Sequence, residues 1–248
     1  MNTNVNLEAA LGVLAFLGSG CLAFLTVLVI LHAAIVRKPV RAGLGVLLIA
    51  GGAILYFLIL LAFSLGSSEK ALARGEEKHF CEIDCHLAYS VIDVKKSRTL
   101  GDGQNQATAK GIFYMLTVKT RFDEKTISQG RGNQTLTPNP RAATLFDEQG
   151  RKYFPSAEGE RSLSVSNNLG TPFDTPLRPG EAYATTLVFD VPAGVKSATL
   201  LLNESDWVTR FIIGHENSPL HKKTFFRVDA PEALVEKIAD FRSAVNTN

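Results

Sequence analysis

Two long apolar runs near the start of the chain limit its possible folds more than any other feature. Residues 9–36 and 44–65 contain no Asp, Glu, Lys or Arg. A bilayer core needs about 20 apolar helical residues, so each run is long enough to span a membrane. A signal peptide has a basic start and a shorter apolar stretch, whereas residues 1–8 contain no Lys or Arg. The sequence therefore predicts a two-helix transmembrane hairpin over residues 1–66.

The short connection between the two runs indicates how the hairpin is oriented. This connection contains Arg37, Lys38 and Arg41, whereas the tail before the first run has Glu8 as its only charged side chain. Short cationic loops remain in the cytoplasm. We therefore expect the connection to lie on the cytoplasmic side of a bacterial inner (cytoplasmic) membrane. The chain beyond Ser67 would then be periplasmic, or extracytoplasmic in a cell without a periplasm.

Small residues inside both runs suggest how the two helices pack. Gly18-Ser19-Gly20 lies in the first run and Gly51-Gly52-Ala53 in the second. Small residues let membrane helices approach closely, so we expect each patch to pack against bulky residues of the other helix. An ion or proton pathway normally needs an ionisable residue within the membrane. The uncharged runs therefore argue against a transporter or a channel.

The charge balance of the remaining chain excludes other classes of protein. The whole chain has 26 basic and 24 acidic side chains, and three basic and one acidic group lie before residue 66. The rest is therefore electrically neutral, which argues against nucleic acid as a partner. The glycine-rich stretch Gln129–Asn133 lacks the Gly-Lys-Ser/Thr ending of a phosphate loop. We expect no nucleotide site and, without a nucleophile motif such as Gly-x-Ser-x-Gly, no catalytic residues.

The hydrophobic pattern changes to a period of two beyond a polar juxtamembrane stalk, which we predict over residues 67–79. No strand in the later pattern is followed by a long crossover helix, so an antiparallel β-sandwich of immunoglobulin-like size is predicted over residues 80–228. The fold class is mainly β. The predicted strands cover residues 87–91, 112–118, 143–146, 152–154, 183–189, 199–202, 207–213 and 224–228.

The end of the chain has a different pattern. Asp229-Ala-Pro-Glu232 combines a capping residue with an early proline and an acidic residue, and Leu234, Ile238 and Phe241 follow at helical spacing. This predicts a short amphipathic C-terminal helix within residues 229–248.

Two long connections on the sandwich are candidate contact surfaces for a protein partner. They cover residues 123–141 and 155–179, and long irregular loops on a rigid scaffold commonly carry binding sites. Trp207 follows Glu204-Ser-Asp206, and we expect it to anchor the core.

Three sequence blocks resemble a known group of domains. They are Leu145–Tyr153, Leu177–Glu181 and Leu187–Pro192. Together they resemble the immunoglobulin-like extracytoplasmic domains of unknown function found on bacterial membrane proteins and lipoproteins. In that group the first block is a strand, a hairpin turn and a second strand. The resemblance covers about residues 80–228 and implies an exposed binding module without catalytic residues.

The segment His79-Phe-Cys81-Glu-Ile-Asp-Cys85-His86 is a local concentration of ligand-type residues, and it has four interpretations. In the first interpretation Cys81 and Cys85 form a disulfide, which requires a turn between them. Residues four apart in a strand are separated by about 13 Å, whereas a disulfide needs Cα atoms within about 7 Å. In the second interpretation the two cysteines are reduced or buried and have only a structural role. The third interpretation is a metal site. The fourth is covalent haem, through a rare variant of Cys-x2-Cys-His.

The metal interpretation involves copper or zinc bound by Cys81, Cys85, His86 and His79, because thiolates and imidazoles suit both metals. His215 and His221 could approach from a later loop. Our leading hypothesis is a non-enzymatic, membrane-anchored extracytoplasmic module with no cofactor. Its partners are the lipid bilayer and a protein of the envelope or a neighbouring membrane complex. The alternative is an extracytoplasmic metal-binding or redox protein.

Overall fold

The computed structural model describes residues 7–81, 86–165 and 168–228. The chain divides into two compact units. The helix unit combines the segment that ends at Lys70 with Glu204–Lys223, and the sandwich unit combines Ala71–Asn203 with the segment that begins at Thr224. A stretch far along the chain therefore packs with the N-terminal helices.

Two apolar helices make up most of the helix unit. Helix α1 spans Leu7–Ile35 and helix α2 spans Pro39–Leu65. Proline begins α2, because its fixed φ and missing amide suit the first helical position. Both helices are long and apolar enough to cross a membrane, and most of their large apolar side chains are exposed. The predicted pair of apolar helices is confirmed, and it points to a membrane anchor.

The close approach of α1 and α2 occurs at Gly45, and the prediction from the small-residue patches is wrong. A β-carbon added at Gly45 would lie 2.5 Å from Cγ1 of Ile30. At Gly18 and Gly51, by contrast, no described atom outside the local helix lies within 4 Å of the added carbon. Small residues permit close packing, but the register of the hairpin decides which of them are used.

Nine described strands form the two sheets of the sandwich unit. One sheet has the order β2-β3-β4-β7 and the other the order β1-β9-β8-β5-β6, and the pairs within the first sheet are antiparallel. In chain order the strands are β1 Lys70–Leu72, β2 Lys78–Cys81, β3 His86–Leu100, β4 Ala107–Asp123, β5 Arg141–Asp147, β6 Lys152–Tyr153, β7 Ala182–Val191, β8 Ala198–Glu204 and β9 Thr224–Arg227.

The core lies between the two sheets and follows the predicted alternation. Leu87, Tyr89 and Val91 of β3 are each 0% exposed, and every second residue of β4 from Tyr114 to Phe122 is buried beside them. Leu200 and Phe226 of the other sheet belong to the same core cluster. A mainly β, two-sheet sandwich is therefore confirmed, because alternating apolar residues can all be buried on one face of each sheet.

A short helix lies in a region predicted to be an irregular loop. Helix α3 spans Ala157–Val165, and Ser156 begins it by accepting a hydrogen bond from the Gly159 amide at 3.2 Å. A β-carbon at Gly159 would come within 2.5 Å of the Val188 side chain, so glycine allows α3 to lie directly on β7. Leu163 joins a second small cluster with residues of β3, β4 and β7.

Three other predictions meet the structure differently. The predicted stalk contains β1 and the first residues of β2, so much of it belongs to the two sheets. Residues 207–213 are not a strand, since Trp207–Phe211 forms a 3-10 helix. The predicted C-terminal helix within residues 229–248 lies outside the described residues.

Candidate functional site

The register of three strands brings His79 and His86 to one end of the four-stranded sheet. His79 on β2 pairs with Ala88 of β3, and Ala88 and His86 pair in turn with Arg121 and Asp123 of β4. Because side chains alternate along strands, these positions share the sheet face opposite the core. We call Glu77, His79, His86, Arg121 and Asp123 the polar cluster.

A bidentate ion pair organises the polar cluster. Arg121 donates to Glu77 through Nε at 2.9 Å and Nη2 at 2.7 Å, and to Asp123 through Nη1 at 3.3 Å. Hydrogen bonds from Arg121 lower the pKa of Glu77 despite its partial burial. Burial raises the pKa of Asp123, but hydrogen bonds from the Lys125 amide and Arg121 outweigh it, and the net shift is downward. Both carboxylates are therefore ionised at neutral pH.

The two histidines in the cluster differ in their partners. His79 Nε2 lies 3.4 Å from Oδ2 of Asp123 and 3.6 Å from Oε2 of Glu77. The rings of His79 and His86 are 6.5 Å apart and nearly perpendicular. Burial lowers the pKa of His86, and the neighbouring His79 lowers it further. His86 is therefore neutral at pH 7, the state in which imidazole binds a metal ion.

Three buried ring nitrogens in the cluster lack a hydrogen-bond partner within the described part of the chain. They are Nδ1 of His79 and both nitrogens of His86. Buried polar atoms usually have a partner, so these nitrogens are the chemical feature of the cluster most suited to a ligand.

The cysteines of the predicted site lie at the edge of what the structure describes. Residues 82–85 are outside the described ranges, and of Cys81 only the backbone pairing with His86 is described. The disulfide, reduced-cysteine, metal and haem interpretations that involve Cys81 and Cys85 therefore remain predictions. Among the described residues, no group of three His, Cys, Asp or Glu side chains has a metal-binding arrangement.

His215 and His221 lie in the helix unit and make local contacts there. His215 Nε2 is 3.4 Å from Oε2 of Glu204, and its Nδ1 accepts a hydrogen bond from the Asn217 amide at 3.0 Å. His221 Nδ1 lies 2.7 Å from the Lys222 carbonyl oxygen. Burial lowers the pKa of His221.

The two predicted contact loops are joined by a short β-bridge. The amides of Leu136 and Leu177 each donate to the other residue's carbonyl, at 2.9 and 3.0 Å. Within the first loop, residues 128–135 are exposed except for half-buried Arg131, whose guanidinium group lies 5.2 Å from the Phe122 ring centre. The exposed polar residues 128–135 are therefore held at one end by the bridge.

The side chain of Trp207, which the sequence predicts to anchor the core, is exposed. Trp207 has 66% of its surface accessible, so the prediction that it anchors the core is wrong. Its ring contacts that of Phe211 edge to face at 5.9 Å. The sequence does contain a signal for the 3-10 helix in place of a strand. This signal is Asp206, whose carboxylate caps the helix by accepting a hydrogen bond from the Val208 amide at 3.0 Å.

The comparisons with known proteins identify the family. A model described as a domain of unknown function, DUF4352, matches residues 83–210. The chain belongs to the DUF4352 family. The matched region runs from just before β3 to the 3-10 helix at Trp207–Phe211, so it includes most of the sandwich. No curated protein matches the chain significantly.

Three solved structures are similar to this DUF4352 chain, each with a TM-score of 0.40. A secreted protein from Mycobacterium tuberculosis, MPT63, is 13% identical, with 65% of this chain and 99% of that chain covered. The yjhA protein from Bacillus subtilis is 14% identical, with 64% and 99% covered. A conserved hypothetical protein from Bacillus anthracis is 13% identical, with 54% and 92% covered.

Proposed function

We propose that this DUF4352 protein is a non-enzymatic binding module held at the outer side of a bacterial cytoplasmic membrane. Its immunoglobulin-like sandwich contacts an envelope protein or a neighbouring membrane complex. The observation that carries the proposal is the short connection between helix and sheet. Helix α2 ends at Leu65 and β1 begins at Lys70, so a short stretch of chain holds the first strand close to the end of the helix. Such tethering raises its effective concentration for partners in the same membrane.

The charge pattern supports an extracytoplasmic location. The bend between α1 and α2 contains Arg37 and Lys38, and Arg41 follows in the first turn of α2. Cations in a short loop keep that loop in the cytoplasm. Both outer helix ends, and the sandwich attached to α2, then lie on the opposite side of the membrane.

The bridged loop of residues 128–135 is the favoured contact surface. It is polar and exposed, and Gly130 and Gly132 adopt φ values of 93° and 68°, which glycine allows without steric cost. The bridge at Leu136 fixes one end of this loop. A supported polar loop suits recognition of a protein surface more than of a small apolar ligand.

Site-specific photo-crosslinking in intact membranes tests this function. A photoreactive residue at Gln129 should capture one defined envelope or membrane protein. The matched control is Lys95 on β3, whose side chain is 73% exposed and lies outside the loop. Capture of the same set of proteins from both positions, or of none from Gln129, would contradict the proposal.

The buried ring nitrogens of His79 and His86 that have no hydrogen-bond partner among the described residues favour a second function, in which Cys81, Cys85, His86 and His79 bind zinc or copper. Elemental analysis of untagged protein should then find about one equivalent of metal, lost in His86→Gln and retained in the control His32→Gln, since His32 lies in the last turn of α1. Metal-free protein after incubation with zinc or copper salts would remove this alternative.

A further inference from the structure

We propose that the segment Glu204–Lys223 docks into the outer interface of the lipid bilayer, with Trp207 as its membrane-inserted side chain. This inference rests on the proposed membrane anchor and adds a third membrane contact to the two helices. The evidence lies entirely within the helix unit, where this segment packs on α1 and α2. We call it the interface segment.

Two contacts fix where the interface segment lies along the helices. The Tyr56 hydroxyl of α2 donates to the Phe211 carbonyl at 2.6 Å. On α1, a β-carbon added at Gly12 would collide with the carbonyl oxygen of Ile213, so backbone packs directly on backbone there. The segment is thus seated against both helices through residues 211–213.

The position of these contacts corresponds to the outer edge of a bilayer. Tyr56 comes 17 residues after Pro39, where α2 begins, and Gly12 comes 23 residues before Ile35, where α1 ends. At about 1.5 Å per residue, the contacts lie about 25 and 35 Å from the cytoplasmic bend. A hydrocarbon core is about 30 Å thick. The contacts therefore bracket its outer boundary, where Trp and Tyr are enriched in membrane proteins.

The exposed side chains of the interface segment suit lipid better than water. Trp207 and Leu220 are each 66% exposed, although both are large and apolar. Leu220 also has a φ of 64°, an unfavourable backbone conformation for a leucine. Lipid contact would offset that cost, because it removes the exposed apolar surface from water.

The net charge of the interface segment indicates whether its docking depends on the charge of the lipid headgroups. Its acidic residues are Glu204, Asp206 and Glu216, and they balance Arg210, Lys222 and Lys223. Anionic lipid adds little binding free energy for an electrically neutral segment. Docking should therefore depend on apolar insertion and occur equally in zwitterionic bilayers.

Intrinsic fluorescence tests the inference directly, because Trp207 is the only tryptophan in the chain. The full-length protein would be reconstituted into phosphatidylcholine vesicles whose acyl chains carry bromine either near the headgroup or near the chain end. We expect shallow bromines to quench Trp207 emission at least about twofold. Deep bromines and aqueous acrylamide should quench it less. Adding phosphatidylglycerol should leave these ratios unchanged.

The possible results separate this inference from the anchoring proposal. Vesicle flotation reports whether the helices are inserted. Protein that floats while Trp207 is quenched by acrylamide and by neither brominated lipid would overturn the inference alone. Strongest quenching by deep bromines would also overturn an interfacial position. Protein that does not float would contradict the anchor itself.

Discussion

The hydroxyl group of Tyr56 in α2 donates a 2.6 Å hydrogen bond to the backbone carbonyl of Phe211, 155 residues further along the chain. This bond joins a predicted membrane helix to an aromatic segment that follows most of the sandwich. The chain therefore returns to its anchor after building β8, and the anchor is more than an N-terminal tether.

Replacing Tyr56 by Phe should loosen the interface segment. A single hydrogen bond contributes about 1 kcal/mol, which corresponds to an approximately fivefold change in a local opening equilibrium. Hydrogen–deuterium exchange in peptides that cover Phe211 should accelerate by that factor in reconstituted protein. Ser19→Ala is the control, since the hydrogen bond that the structure describes for Ser19 lies within α1, to the Phe16 carbonyl. Equal exchange in wild type and Tyr56→Phe would show that the bond is not formed.

Replacing Gly12 by Val should displace the segment, because the new side chain would collide with the Ile213 carbonyl. Quenching of Trp207 by shallow lipid bromines should fall, and quenching by acrylamide should rise. Gly18→Val adds the same side chain to α1 at a position with open space, so it should leave both signals unchanged. Identical behaviour of the two variants would contradict the seating of the segment on Gly12.

Replacing Arg121 by Met should destabilise the sandwich by about 2 kcal/mol at neutral pH, because two partly buried carboxylates lose their partner. Thermal unfolding followed by β-sheet circular dichroism measures the loss. Lys95→Met should cost little, since Lys95 and its partner Asp93 are exposed.

The effect of Arg121 should also depend on pH in a defined direction. Folding lowers the pKa of Glu77 from 4.5 and that of Asp123 from 3.8. Their contribution is complete above these ordinary values and is lost as pH falls through the lowered folded-state values. The difference between wild type and Arg121→Met should therefore shrink between pH 5 and pH 3. A difference that stays constant over this interval would mean that the carboxylates are not coupled to Arg121.

The hairpin between β5 and β6 should depend on Asp147. Its carboxylate accepts hydrogen bonds from the Arg151 side chain at 2.6 Å and from the Tyr153 hydroxyl at 2.8 Å. Burial raises the pKa of Asp147, but these bonds outweigh it and bring the pKa to about 2. Asp147→Asn should therefore lower the melting temperature at pH 7, whereas Gln149→Ala should not. The Asn effect should diminish as pH falls from 4 towards 2, and an effect that grew there would refute this role.

This hairpin also shows which parts of the fold a sequence can predict. Asp147 and Gly150 are close in the chain, and Gly150 takes the expected positive φ of 75°, so the turn is encoded locally. The apolar runs of α1 and α2 are likewise local signals. Both features could be predicted because no distant contact decides them.

The structure of residues 207–213 and helix α3 could not be predicted in the same way. Residues 207–213 are rich in aromatic and β-branched side chains, which favour a strand, but Asp206 caps a 3-10 helix and the segment then packs on α1 and α2. Helix α3 buries Leu163 and little other apolar surface of its own, so its periodicity is weak. Contacts with distant parts of the chain determine both elements.

The polar cluster could be predicted from the sequence only in part. The sequence pointed to His79 and His86 as ligand-type residues, but not to Arg121 or Asp123. Those residues are brought beside the histidines only by the pairing of β3 with β4. Strand register depends on the whole sheet, so the carboxylates around His79 could be found only in the structure.

The most direct test of the central claim is the side of the membrane on which the sandwich lies. Protease would be added to sealed right-side-out spheroplasts and, separately, to inverted membrane vesicles, with fragments identified by mass spectrometry. If the helix pair delivers the sandwich outside, cleavage after Arg131 in the exposed loop should occur in spheroplasts and be blocked in inverted vesicles. Cleavage there only in inverted vesicles would place the sandwich in the cytoplasm and contradict the account.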